Sequence, residues 1–117
     1  MSPQDRERLR KMLSFANDVL TMSQGITLEK ITTDKPFQYS LLYPMGQIGE
    51  LAVKLEKLSR IYPKIEWADW RGFRNRVFHD YGAIDFSIVL EMVEEAIPLL
   101  ITELTAALSQ LNPPPPS

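Results

Sequence analysis

Trp67-Ala68-Asp69-Trp70-Arg71-Gly72-Phe73-Arg74-Asn75-Arg76-Val77-Phe78-His79-Asp80-Tyr81 is the stretch on which the reading of this chain turns. Trp67, Trp70, Phe73 and Val77 recur at three- and four-residue spacing, the signature of one apolar helix face. The spacing predicts a helix from about Trp67 to His79, broken by Gly82. The same stretch holds the only histidine of the chain and both tryptophans. On a regular helix Arg71, Asn75 and His79 lie one turn apart on one side. Arg74 is offset from His79 by roughly 140°. The length of arginine and a bend of the helix end toward Gly82 reduce that separation.

The flanking chain reads as a helical scaffold for this segment. Residues 4–22 place Leu9, Met12, Leu13, Ala16, Val19 and Leu20 on one face, with Ser2 as N-cap, Pro3 at the first helical position and Gly25 as the stop. Leu28 and Ile31 allow a single helical turn, and Thr32-Thr33-Asp34 caps the next element. A second long helix is expected over 35–59, with Phe37, Leu41, Met45, Ile48, Ala52, Leu55 and Leu58 as its stripe. Pro44 falls inside it as an expected kink, and Gly46 and Gly49 permit another helix to approach closely. Pro63 ends the connector Arg60-Ile61-Tyr62. Asp85 caps a last helix, 86–111, whose stripe is Phe86, Leu90, Val93, Ile97, Leu100, Leu104, Ala107 and Leu111, with a second expected kink at Pro98. No strand pattern or internal repeat is present. The expected fold is all-α: an up-down bundle of three long helices and a shorter fourth, spanning 1–111. The tail 112–117, Asn112-Pro113-Pro114-Pro115-Pro116-Ser117, is expected to be extended or disordered. Helices this long in so short a chain leave a face to fill, so a homodimer is expected.

With 117 residues, one domain is the expectation. The absence of cysteine excludes disulfides and thiolate metal sites. The charged N-terminus carries no apolar run that reads as a leader or a span, so a cytoplasmic protein with no membrane association is expected. The net charge of −2 argues against indiscriminate nucleic-acid coating. Its distribution is uneven. Residues 54–76 carry Lys54, Lys57, Arg60, Lys64, Arg71, Arg74 and Arg76 against Glu56, Glu66 and Asp69. Residues 77–117 carry Asp80, Asp85, Glu91, Glu94, Glu95 and Glu103 and no Lys or Arg. A basic stretch ending at His79 suits an anionic ligand, although such runs also serve as solvated helix faces.

The residue types suit metal-free cleavage of RNA by its own 2′-hydroxyl. That reaction needs a base, an acid and positive charge for the phosphorane. Histidine serves as base or acid near neutrality. Arginine grips a phosphate with two parallel donors. Asn75 can hold the imidazole or a phosphate oxygen, and Tyr81 offers a hydroxyl. A single chain supplies one imidazole for two tasks, so a two-fold dimer bringing two His79 side chains together is the expected active unit. One histidine without clustered carboxylates makes no metal-ligand set, and no cofactor is expected.

Arg74, four residues, His79, one residue, Tyr81 resembles the Arg-x4-His-x-Tyr signature of HepT-like toxins in the HEPN superfamily. Ile48-Gly49-Glu50, Pro63, Trp67, Phe73-Arg74-Asn75 and Tyr81-Gly82-Ala83-Ile84-Asp85 resemble further positions of that family, and the likeness covers roughly residues 5–110. It departs from the family at Pro44 and in the proline tail. The resemblance implies a metal-independent ribonuclease, dimeric, acting as the toxin of a type VII toxin–antitoxin pair. It implies a nucleotidyltransferase antitoxin that transfers AMP to Tyr81. It further implies that Arg74 and His79 are catalytic, that Asn75 and Arg71 support them, and that Glu50 partners Arg71 or Arg74. Two other readings stay open on the residues alone: a non-catalytic module that docks on a nucleotidyltransferase or binds a nucleotide, and a structural bundle in which the motif is coincidental.

Overall fold

The computed structural model describes residues 1–111; the expectation for the proline tail lies outside them. In chain order the helices are α1 (Pro3–Met22), α2 (Leu28–Thr33), α3 (Lys35–Lys54), α4 (Trp67–His79), α5 (Phe86–Glu91) and α6 (Ile97–Leu111). A π-helical turn, Met92–Ala96, joins α5 to α6 in one continuous rod. No strand occurs among the described residues. The fold is the expected all-α bundle of three long helices and a shorter fourth, with α2 as an added turn.

The helix starts follow from local chemistry. Ser2, Thr27, Asp34 and Asp85 each accept a backbone N–H of the following first turn through the side chain, satisfying donors that the helix cannot pair internally. Gly25 ends the α1 turn with φ of 71°, the left-handed region that glycine enters without steric cost.

Helix α3 is the central element. One side packs on α1 and, beyond it, α6 shares the core, so that Leu9, Met12 and Ala16 meet Leu41, Met45 and Ile48 together with Leu100 and Leu104. The other side of α3 carries α4. This double burial explains why Leu42, Gly46 and Gly49 are buried as well as the expected stripe. Trp67 and Trp70 are buried in the core, as their place on the apolar face of α4 predicts.

Two expectations need correction. The helix predicted over 35–59 ends at Lys54, and a 3₁₀ turn, Glu56–Arg60, follows. In a 3₁₀ turn residues three apart align, which puts Leu55 and Leu58 into the core together. Helix α3 does run through Pro44 as one helix, as the stripe in phase on both sides of it predicts. Near Pro98 the irregularity is the π turn, closed by Ile97 N–H donating to the Met92 carbonyl. A wider turn re-routes the backbone bonding just ahead of a residue with no N–H to give. It also shifts the buried stripe, so that Val89 and not Leu90 is buried ahead of Val93 and Ile97.

Candidate active site

Helix α4 is seated before any of its polar residues matter. Trp67 Nε1 donates to the Tyr62 carbonyl at 2.9 Å, locking the connector against the helix start. The seam with α3 is then set by two glycines. A Cβ at Gly49 would overlap Arg74 Cβ and the Trp70 carbonyl, so only glycine lets the backbones come this close. A Cβ at Gly46, one turn earlier, would meet Val77 Cγ1 at 3.3 Å. The α3–α4 pair is therefore antiparallel, with Glu50 opposite Arg74 and Gln38 opposite Tyr81.

Arg74 leaves α4 directly at this close approach. Its Nε donates to Glu50 Oε2 at 2.6 Å, and its Nη1 donates to Asn75 Oδ1 at 2.9 Å. The guanidinium carbon sits 5.5 Å from the centre of the Phe78 ring. These contacts hold the planar group by its inner edge and ring face. Among the described residues no hydrogen bond takes the donors on its outer edge, and these suit an anion. Of the two arginines weighed as partners for Glu50, the structure pairs Arg74. Arg71 stands apart, and its Nη1 is buried without a hydrogen-bond partner among the described residues.

His79 is the last residue of α4 and is exposed. Among the described residues no hydrogen bond or ion pair joins it to Arg74 or to Asn75. The amide oxygen of Asn75 is occupied by Arg74, so Asn75 steadies the arginine and not the imidazole. One chain thus presents an anchored guanidinium and an exposed imidazole on the same helix, with no hydrogen bond between them among the described residues.

Tyr81 lies two residues on, in the short 3₁₀ turn Tyr81–Ala83. Its hydroxyl donates to Gln38 Oε1 at 3.2 Å, and Gln38 Nε2 in turn donates to the Ile31 carbonyl at 2.8 Å. Gln38 is buried, a polar side chain that engages its amide nitrogen and its amide oxygen at one junction of α2, α3 and the end of α4. The Tyr81 ring stands 5.8 Å from that of Tyr39. Burial, and secondarily the neighbouring Tyr39, push the Tyr81 phenol above the ordinary tyrosine value of 10.0, so it stays protonated and remains a donor. Sequence reading missed Gln38 and Tyr39. The available signal was a glutamine at a core-facing position of α3, between Phe37 and Leu41.

A cleft of about 440 Å³ lies on the opposite side of α4, against α5 and the π turn. Glu66, Asp69, Glu91 and Glu95 line it, with Arg76 as the single cation. A hydrogen bond that protonated Glu66 donates to Asp69, then burial and the charges of Asp69 and Glu95, hold the Glu66 carboxyl above its ordinary value. Crowded carboxylates repel a phosphate backbone. The seam with Arg74 is the side of α4 that suits an anion. No group of three or more His, Asp or Glu side chains among the described residues could hold a metal ion.

The family described as "Ribonuclease HepT-like" matches residues 6–107. The chain belongs to the HepT-like ribonuclease family. This HepT-like ribonuclease is 25% identical over 105 residues to the candidate RNase MJ0125 of Methanocaldococcus jannaschii, covering 89% of this chain and 90% of that one. It is 27% identical over 96 residues to the candidate RNase MJ1380 of the same organism, covering 81% and 88%. Over 79 residues it is 28% identical to the "Probable ribonuclease HepT" of Thermococcus cleftensis, covering 67% and 72%. No solved structure matches significantly. The span matched by the family encloses the whole α3–α4 seam, from Gln38 to Tyr81. RNA is thus the substrate class of a HepT-like ribonuclease such as this one, and no helix of its described residues is long and apolar enough to cross a membrane.

Proposed function

We propose that this ribonuclease is the toxin of a type VII toxin–antitoxin pair and cuts RNA without a metal ion, with Arg74 and His79 as its catalytic residues. The observation that carries the reading is the pairing of an anchored guanidinium, open at its outer edge, with an exposed imidazole on the same helix. Arg74 takes the non-bridging oxygens of the scissile phosphate in two parallel donors and meets the growing charge of the phosphorane. The 2′-oxygen attacks phosphorus as a base removes its proton. The P–O5′ bond breaks, an acid gives the leaving oxygen a proton, and the products are a 2′,3′-cyclic phosphate and a 5′-hydroxyl. Base and acid are two roles for one imidazole per chain. A homodimer that brings two copies of His79 to one groove supplies both. Asn75 and Glu50 hold Arg74, and Arg71 adds positive charge one turn earlier.

The same reading gives Tyr81 its regulatory role. A nucleotidyltransferase antitoxin transfers AMP from ATP to the Tyr81 oxygen, releasing pyrophosphate. The added phosphodiester brings negative charge beside the groove and repels RNA. It also removes the proton that Tyr81 now donates to Gln38.

The deciding experiment is cleavage of a labelled RNA in the presence of a chelator, with end-group analysis of the products. Wild type is expected to leave cyclic phosphate ends. Arg74→Ala and His79→Ala are each expected to stop cutting while keeping the helical circular-dichroism signal. Persistent cutting by the His79 variant rejects the mechanism, and no cutting by the wild type rejects the enzyme reading in favour of a docking module. Intact mass after co-expression with a neighbouring nucleotidyltransferase, compared with a Tyr81→Phe control, tests the modification.

A further inference from the structure

Three exposed aromatic rings lie along the α3–α4 seam. Tyr39 is 56% exposed, Phe78 47% and Tyr81 38%. None of these rings is needed to fill the core, which Trp67, Trp70 and Phe73 complete from α4. Tyr39 and Tyr81 sit with ring centres 5.8 Å apart and planes splayed at 51°, so they do not close on one another as a parallel stack would. Phe78 lies against Gly46 and under the Arg74 guanidinium. From Gln38, which anchors Tyr81, to Glu50, which anchors Arg74, helix α3 advances roughly 18 Å. The tyrosine pair and the Phe78–Arg74 pair thus lie at two levels of one seam, within a span of several nucleotides.

We propose that Tyr39 and Tyr81 form a nucleobase-stacking subsite that seats unpaired RNA on the seam, next to the phosphate held by Arg74. The inference rests on the ribonuclease reading of this site and adds the substrate class. Aromatic side chains accept bases of any identity by stacking, and only bases not already paired and stacked in a helix are free to do so. The acidic cleft on the far side of α4 steers the polyanion toward the seam. The Gln38 hydrogen bond fixes the Tyr81 ring in place, so one half of the subsite is preorganised. Modification of Tyr81 would then act twice, by charge and by occupying the position where a base stacks.

The test is binding of a fluorescein-labelled RNA oligomer with 2′-deoxy substitutions that block cleavage, followed by anisotropy, in single-stranded and hairpin-duplex forms. The single strand is expected to bind more tightly. Tyr39→Ala is expected to weaken it by about 5- to 150-fold, the range for loss of one base–aromatic stack. Tyr39→Phe, which keeps the ring, is expected to restore the wild-type affinity. An abasic substitution at one position of the oligomer is expected to cost the wild type as much and the Tyr39→Ala variant nothing further. Equal affinity of wild type and Tyr39→Ala, equal binding of duplex and single strand, or an additive abasic effect overturns the subsite. So does conversion of a wild-type dimer to monomer by Tyr39→Ala without RNA, which makes the ring a subunit contact. Cutting by a wild type whose Tyr39→Ala variant binds normally removes the subsite alone. Tyr39-dependent binding without cutting removes the nuclease mechanism alone.

Discussion

Glu50 Oε2 accepts a hydrogen bond from Arg74 Nε at 2.6 Å, across 24 residues of chain. Both side chains are about a quarter exposed, so solvent screens the pair and its worth to stability is modest. Its consequence is orientation: the carboxylate takes the Nε edge and turns the remaining donors outward.

Glu50→Ala is therefore expected to cost about 1 kcal/mol or less in urea unfolding, yet to slow RNA cutting well beyond what that loss accounts for. Arg74→Lys tests the same geometry from the other side. Lysine keeps the charge but cannot bridge Glu50, Asn75 and a phosphate at once, so cleavage is expected to fall nearly as far as in Arg74→Ala. Initial-rate measurements on the three variants check both expectations.

Gly49→Ala is expected to be among the most damaging single-methyl changes available. The new Cβ would overlap backbone and Cβ atoms of α4, which cannot rotate away. Overpacking of this kind costs about 1–3 kcal/mol, and here it also displaces Arg74. Gly46→Ala meets a valine methyl at 3.3 Å and is expected to cost distinctly less. Chemical denaturation of the two variants ranks them; equal losses would mean that the helices part without strain.

Tyr81 is expected to ionise above the ordinary tyrosine value of 10.0, since burial raises its phenol. The sign for stability follows. A group whose pKa is raised on folding favours the folded state below its unfolded value, and that contribution disappears as pH climbs through the folded value. Stability should fall above pH 10.0, and Tyr81→Phe should remove that part of the fall. Tyrosinate absorbance during alkaline titration, with denaturation at matched pH values, checks it.

Glu66→Gln is expected to raise the melting temperature at neutral pH. Asp69, burial and Glu95 all disfavour the Glu66 charge, lifting its carboxyl above 4.5. The advantage should shrink as pH drops below 4.5, where the wild-type side chain is protonated in both states. Calorimetry across that range tests the sign. RNA cutting should be unaffected, because Glu66 lines the cleft opposite the seam.

Much of the molecule was readable from local pattern. Apolar spacing, caps at Ser2, Asp34 and Asp85, and the stop at Gly25 located the helices, because a helix start or end depends on a few neighbouring residues. The 3₁₀ turn after Lys54 and the π turn before Pro98 were not readable. Both yield to packing of distant residues, and the linear stripe looks the same with or without them. The roughly 140° offset between Arg74 and His79 was likewise readable, and within one chain no hydrogen bond or ion pair joins the two among the described residues.

The residues themselves determined that this is an all-α chain with one short helix carrying an arginine, an imidazole and, just beyond it, a phenol. They also marked Trp67 and Trp70 as core, since both fall on the apolar face of α4. Only the tertiary structure decided which flank of α4 becomes the candidate site. Side-chain spacing fixes what shares a helix face, but not what lies opposite. Gly49 admits the α4 backbone at Arg74 and Trp70, and that contact hands Arg74 to Glu50 and Tyr81 to Gln38 and Tyr39.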